Sequence, residues 1–157
     1  MIYNIHHLHC GSFCPVCAPL FGQKGWKAHL VCHCLLVETD RGLVLIDTGL
    51  GTQDYLHTQQ RLGSLLTKFG AIVPDIHLSA FHQIQQLGYR LDDVKHIFVS
   101  HLDFDHAGGI SDFPNATVHV LASEFNATQS LSLKGKNRYK TEQFKYHRYW
   151  NFAEHTN

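Results

Sequence analysis

The fold of this 157-residue chain turns on ten residues, Ser100-His101-Leu102-Asp103-Phe104-Asp105-His106-Ala107-Gly108-Gly109. Four side chains of metal-ligand type, His101, Asp103, Asp105 and His106, fall within six positions. The apolar run Ile97-Phe98-Val99 leads in and a glycine pair leads out, so a strand empties into a glycine-closed loop. Mixed imidazole and carboxylate donors suit zinc, iron or manganese better than calcium. His101 and Asp103 are two residues apart and point the same way in an extended segment. Asp105 and His106 are adjacent, and a tight turn is needed to bring both to a second position nearby. The spacing suits two neighbouring metal sites better than one four-ligand cage. Two such ions can share a bridging hydroxide and polarise a carbonyl or phosphoryl oxygen. An aspartate beside them can pass a proton to a leaving group.

Upstream, Leu43-Val44-Leu45-Ile46 is apolar at four successive positions and reads as a strand buried on both faces, ending in Asp47-Thr48-Gly49. Asp40-Arg41-Gly42 is the turn of a hairpin that joins it to a strand over His29 to Glu38. On that strand Cys32 and Cys34 share one face and read as buried, apolar-like side chains. Ile2 to Leu8 is a further short strand, and the breaker-rich stretch Cys10 to Gly25 reads as a loop. Between Asp47 and the ten residues, Thr52 to Phe69 is helical in part, with Tyr55, Leu62, Leu65, Leu66 and Phe69 on the apolar side and Gly63 weakening it. Ser79 caps a clearer helix that ends before Gly88. Leu91 to Val94 is one turn. Downstream, Thr117 to Leu121 is a strand, a helix begins at Ser123-Glu124-Phe125, and Gln129 to Lys145 is polar and turn-rich. The aromatic tail Phe144, Tyr146, Tyr149, Trp150 and Phe152 has no later element to bury it. The alternation of strand, hairpin, helix and strand indicates an α/β or α+β layered single domain over residues 1–157.

Thirteen basic and thirteen acidic residues leave no net charge, and no basic block occurs, so nucleic acid and anionic membrane are poor partners. No apolar run approaches the ~20 residues of a membrane span. Met1 to Cys10 carries Asn4 and three histidines where a signal peptide needs an apolar core, and a cytoplasmic location is expected. Fourteen histidines raise the expectation of a metalloenzyme. Five cysteines, an odd count, argue against a disulfide framework.

The ten residues resemble the His-x-His-x-Asp-His loop of the metallo-β-lactamase superfamily, in the flavour of its N-acyl-homoserine-lactonase-like branch. Gly42-Leu43-Val44-Leu45-Ile46-Asp47-Thr48-Gly49 resembles the same family's second-strand element, and the likeness runs over residues 29 to 125. It implies an αββα sandwich, of which this chain supplies the first half, and a metal-dependent hydrolase of lactone- or ester-type bonds in small molecules. By position His101 would serve the first metal. Asp105 and His106 would serve the second, with Asp105 also orienting the nucleophilic water. Asp47 would sit beside the site and orient a ligand histidine. The implied cofactor is zinc, one or two ions. Asp103 replaces the family's second histidine, which favours manganese or iron, or weakens the first site. The family's remaining ligands lie in its second half. Of the histidines left here, His119 reads as structural within its strand, and His147 and His155 as exposed.

Half a sandwich leaves one sheet face open, so impaired catalysis and association into a homo-oligomer are expected. Two readings stand beside this one. A degenerate family member would bind metal poorly and act through protein contacts, as an interaction module. Alternatively Cys10-x-x-x-Cys14-x-x-Cys17 has the spacing of a radical-SAM iron–sulfur motif, or of a zinc or redox loop; its bland reading is a reduced loop over the site mouth.

Overall fold

Alternation of apolar and polar side chains builds a hairpin at the start of the chain. The computed structural model describes residues 1–16, 18–129 and 138–154. Strand β1, Ile2–Phe13, pairs antiparallel with β2, Leu30–Thr39, placing Leu8 opposite Cys34 and His9 opposite His33. The strand continues to Phe13, past the expected end at Leu8, because the register slips between His9 and Ser12 and absorbs Gly11 at φ +133°. Strand β3, Gly42–Ile46, returns antiparallel to β2.

After Asp47 the chain makes three short helices, α1 (Thr52–Leu56), α2 (Thr58–Leu62) and α3 (Ser64–Phe69), broken at His57 and Gly63. Leu62 is buried, whereas Leu65 and Phe69 are exposed, because the two breaks rotate the expected apolar stripe out of line. Helix α4, Ala80–Gln86, starts at Ser79, whose hydroxyl accepts the His82 amide, and Gly88 follows its end. A single turn, Leu91–Asp93, feeds β4, Val94–Phe98, which lies parallel to β3. Then come α5 (Phe104–Ala107), a turn over Gly108–Asp112, β5 (Thr117–Leu121) parallel to β4, and α6 (Ala122–Thr128).

The aromatic tail supplies a strand that the sequence reading did not foresee. β6, Trp150–Ala153, pairs parallel with β5 and completes a six-stranded sheet in the order β1-β2-β3-β4-β5-β6. Trp150 and Phe152 share one face of it, each with its ring 4.9 Å from that of Phe125 on α6.

The core lies on one side of the sheet only. Cys32, Cys34, Leu36, Leu45, Ile97 and Val118 are buried there beneath Leu50, Leu62, Ile84, Leu102 and Ile110. Full burial of each such aliphatic side chain contributes roughly 1.5–3 kcal/mol. The other side is open. Leu35, Ile46, Phe98 and His119 are paired in register across four strands, with Phe98 46% exposed and stacked on His119 at 4.2 Å. Hence β3 is not buried on both faces as expected: Leu43 and Leu45 are covered, while Ile46 remains 37% exposed. Among the described residues no helix is long and apolar enough to cross a membrane.

Candidate metal centre

The site grows where β3 and β4 end side by side. As β3 runs out, Asp47 takes φ +54°, a left-handed conformation uncommon outside glycine and asparagine, and its amide donates to the Phe98 carbonyl at 2.8 Å. That twist aims its carboxylate across to the neighbouring loop. Oδ1 accepts the Ser100 amide at 2.8 Å, and Oδ2 pairs with His106 Nδ1 at 2.9 Å. Thr48 then grips the same loop, its amide and hydroxyl both donating to the His106 carbonyl while its Oγ1 accepts from the Gly109 amide.

The four residues form two like pairs. His101 Nε2 lies 3.6 Å from Asp103 Oδ2, and His106 Nε2 lies 3.7 Å from Asp105 Oδ2. The two imidazole rings are 3.9 Å apart. In each histidine Nδ1 is engaged, by Ser100 Oγ at 2.9 Å for His101 and by Asp47 for His106, so Nε2 is the nitrogen left for another partner. The turn of α5 swings Asp105 and His106 to one side. Burial raises the carboxyl pKa of Asp47, but bonds from His106 and Ser100 outweigh it and hold Asp47 below the usual range. Burial pulls His106 down, and Asp47 and Asp105 more than reverse it.

A metal held by two donors at about 2.1 Å in tetrahedral geometry separates them by about 3.4 Å. Both pairs come near that separation with their Nε2 and carboxylate oxygens facing, so the donors fit zinc or another divalent first-row ion as two half-sites. Among the described residues no group of three or more ligand-type side chains converges into a fuller cage. His119 lies within β5, stacked on Phe98. His147, expected to be exposed, is half-buried instead, because its Nε2 bonds the Ala116 carbonyl at 2.9 Å. His155 lies outside the described residues.

Several residues that hold the site escaped the sequence reading. Beneath the loop, Asp54 is 1% exposed and accepts from the Gly51 amide, Arg61 Nε and Gln143 Nε2 at 2.8–3.0 Å. Arg61 also donates to the Gly108 carbonyl and to Ser111 Oγ, and Gln143 to the Phe104 carbonyl. This clamp ties α1 and α2 to both ends of α5. A Cβ at Gly51 would fall 2.2 Å from the Gly108 oxygen, so only glycine lets the two turns meet. On the outer side Arg138 Nε bonds Asp103 Oδ1 at 2.5 Å, and Glu124 accepts the Leu102 amide at 3.0 Å. Acid–histidine spacing could not reveal partners 22 to 35 residues away.

Among the described residues the thiols join no group of three or more ligand-type side chains. Cys10, Cys32 and Cys34 are buried in the core, and the Cys34 thiol is pushed far up by its bond to Cys10 and by burial. Cys10 sits buried inside β1 rather than in a loop, whereas Cys14 is half-buried just beyond the end of that strand. Cys17, the third member of that motif, lies outside the described residues.

One helix-backed sheet with a histidine–aspartate loop at the strand ends is the architecture of one half of a metallo-β-lactamase sandwich. The chain belongs to the metallo-beta-lactamase superfamily, whose family profile matches residues 29–146. A probable metallo-hydrolase of Mycobacterium tuberculosis is 43% identical over 145 residues, which cover 90% of this chain and 42% of that protein. An N-acyl homoserine lactonase of Bacillus cereus is 32% identical over 98 residues, 61% of this chain and 38% of the relative. The chain thus spans about two fifths of the length of these relatives. Among solved structures, an N-acyl homoserine lactone hydrolase with product bound at its catalytic metal centre superposes with a TM-score of 0.75 at 25% identity. The match covers 98% of this chain and 60% of that one, so the fold is the metallo-β-lactamase fold in part.

Proposed function

We propose that this chain is the metal-binding half of a hydrolase acting on lactone or related ester bonds of small molecules, with His101 and Asp103 serving one ion and Asp105 and His106 another. The observation that carries the reading is His106, held through Nδ1 by Asp47 at 2.9 Å with Nε2 turned toward Asp105. A divalent ion there, zinc in the first instance, would supply a hydroxide at neutral pH and polarise the substrate carbonyl. The chain's own residues do the rest. Asp47 holds Nδ1 of His106 and so leaves Nε2 as the nitrogen that would bind the ion. Ser100 does the same for His101. Asp105 orients the attacking water and carries the proton to the departing alcohol oxygen. The fold and the lactonase relatives support the bond type by analogy.

A second reading is favoured by the open sheet face: a member of the family with feeble catalysis that associates through Ile46 and Phe98 with another copy or partner. Elemental analysis with a lactone-hydrolysis assay decides between them. The hydrolase reading expects up to two ions per chain and a turnover that chelation abolishes and zinc restores. The association reading expects neither. Asp105→Asn should retain the fold and lose turnover; full activity in that variant would remove Asp105 from its role.

A further inference from the structure

Asp103 is the anomaly of the loop, because a carboxylate where the family loop carries histidine adds a negative charge to the first half-site. The same side chain has a partner that the loop itself does not contain. Arg138 Nε bonds Asp103 Oδ1, while Asp103 Oδ2 faces His101 Nε2 at 3.6 Å. Arg138 is brought there by its neighbour. Tyr139 is 6% exposed, is bridged through its backbone to Asp103, and lies beneath the guanidinium, whose carbon is 4.9 Å from the ring centroid. Glu124 Oε1 stands 3.8 Å from the other end of the guanidinium. The arginine is therefore placed by a buried anchor on the outer oxygen of a ligand-type carboxylate.

We propose that Arg138 sets which divalent ion the first half-site prefers, by occupying Oδ1 of Asp103 and cancelling its charge. This rests on the reading of His101 and Asp103 as metal ligands. A free aspartate offers two anionic oxygens, a donor set that favours hard, oxygen-seeking ions such as Mn²⁺. With Oδ1 held by a guanidinium, only Oδ2 is left, and the carboxylate and arginine together carry no net charge. The pair then counts as a single neutral donor, as a histidine would, and the half-site keeps a preference for zinc. Arg138 is a positioning residue in this scheme and touches no substrate. An ordinary exposed ion pair would leave ion preference untouched and contribute little beyond a small share of stability.

The test is titration of the metal-free 157-residue chain with Mn²⁺ and with Zn²⁺, in wild type, Arg138→Gln, Asp103→Asn and the double variant. The readout is the ratio of the two affinities, from which the general attraction of any divalent ion for an added negative charge cancels. Arg138→Gln is expected to move the ratio toward Mn²⁺ by roughly tenfold, the lower end of what losing a group that holds a metal ligand does to affinity. In the Asp103→Asn background the same change is expected to leave the ratio where it was. An unchanged ratio, a shift toward Zn²⁺, or an equal shift in both backgrounds overturns the proposal and leaves the hydrolase reading standing. If wild type and Arg138→Gln keep their circular-dichroism spectrum yet bind neither ion, both readings fall. Should Arg138→Gln not fold, Arg138→Lys keeps the charge and loses the fork, and it must shift the ratio in the same direction by a smaller factor.

Discussion

Removing the arginine under the metal loop is the sharpest test of how the loop is held. Arg61→Ala strips from Asp54, 1% exposed, its cationic partner at 2.8 Å. It also removes donors from the Gly108 carbonyl and Ser111. Breaking a buried ion pair by removing one member costs about 3–5 kcal/mol, because a charge is left in a poorly solvated place. Two donors remain on Asp54, from Gly51 and Gln143, so the lower end, about 3 kcal/mol, is expected. Urea unfolding followed by fluorescence of Trp26 and Trp150 measures it. The sign with pH is fixed. Burial already raises the pKa of Asp54 against the pull of Arg61, and losing Arg61 raises it further. A carboxyl whose folded pKa exceeds its unfolded one stabilises fully below the unfolded value and loses that stability as pH rises through the folded value. The deficit of Arg61→Ala is therefore expected to be smaller at pH 5 than at pH 8. Adding Asp54→Asn should recover part of it, since a neutral amide leaves no charge buried without its cation. A loss under about 1 kcal/mol at pH 8, with no rescue, would refute the clamp.

Asp112 is pushed up to about 6 by burial, against the two bonds it accepts from Thr52. Its folded pKa lies above the ordinary 3.8, so stability should fall between about pH 4 and 6, by about 3 kcal/mol at most, and Asp112→Asn should flatten that slope in urea midpoints. Asp47→Asn tolerates the left-handed backbone but cannot accept from His106 Nδ1 through its amide nitrogen; zinc affinity, measured by chelator competition, should drop about 10- to 100-fold, and an unchanged affinity would dismiss Asp47 as the orienting group. Phe98→Glu puts a charge at the middle of the open sheet face, so sedimentation should show less self-association than in wild type; equal association would place the contact elsewhere.

What the sequence disclosed and what it withheld follow from the range of each interaction. β2, β3, β4 and β5 were legible because alternation and apolar runs are local properties, and the Asp40-Arg41-Gly42 turn lies within a few residues of both strands it joins. The pairing of His101 with Asp103 followed from their two-residue spacing. β6 was missed because a four-residue strand at a sheet edge is stabilised by Phe125, a residue 25 or more positions earlier, and the tail alone looks like aromatic surplus. The end of β1 was missed because Gly11 is a breaker in isolation and tolerable only where the register slips. Arg138 on Asp103 and Gln143 on Asp54 are contacts across 35 and 89 residues, and no local pattern encodes them.

The order of the strands has a kinetic side. Each strand pairs only with those before and after it in the chain, and the long wait is that of β3 for β4, Leu43 pairing with Val94. A sheet of this kind can accrete from its amino-terminal edge as the polypeptide emerges during synthesis, each strand using the previous one as template. The hairpin of β1 and β2 would stand first, and the loop after β4 would take shape on a surface already laid down by β3 and Asp47. The segment that carries Arg138 and Gln143 is made later, so these two residues would close around a loop whose backbone is already set.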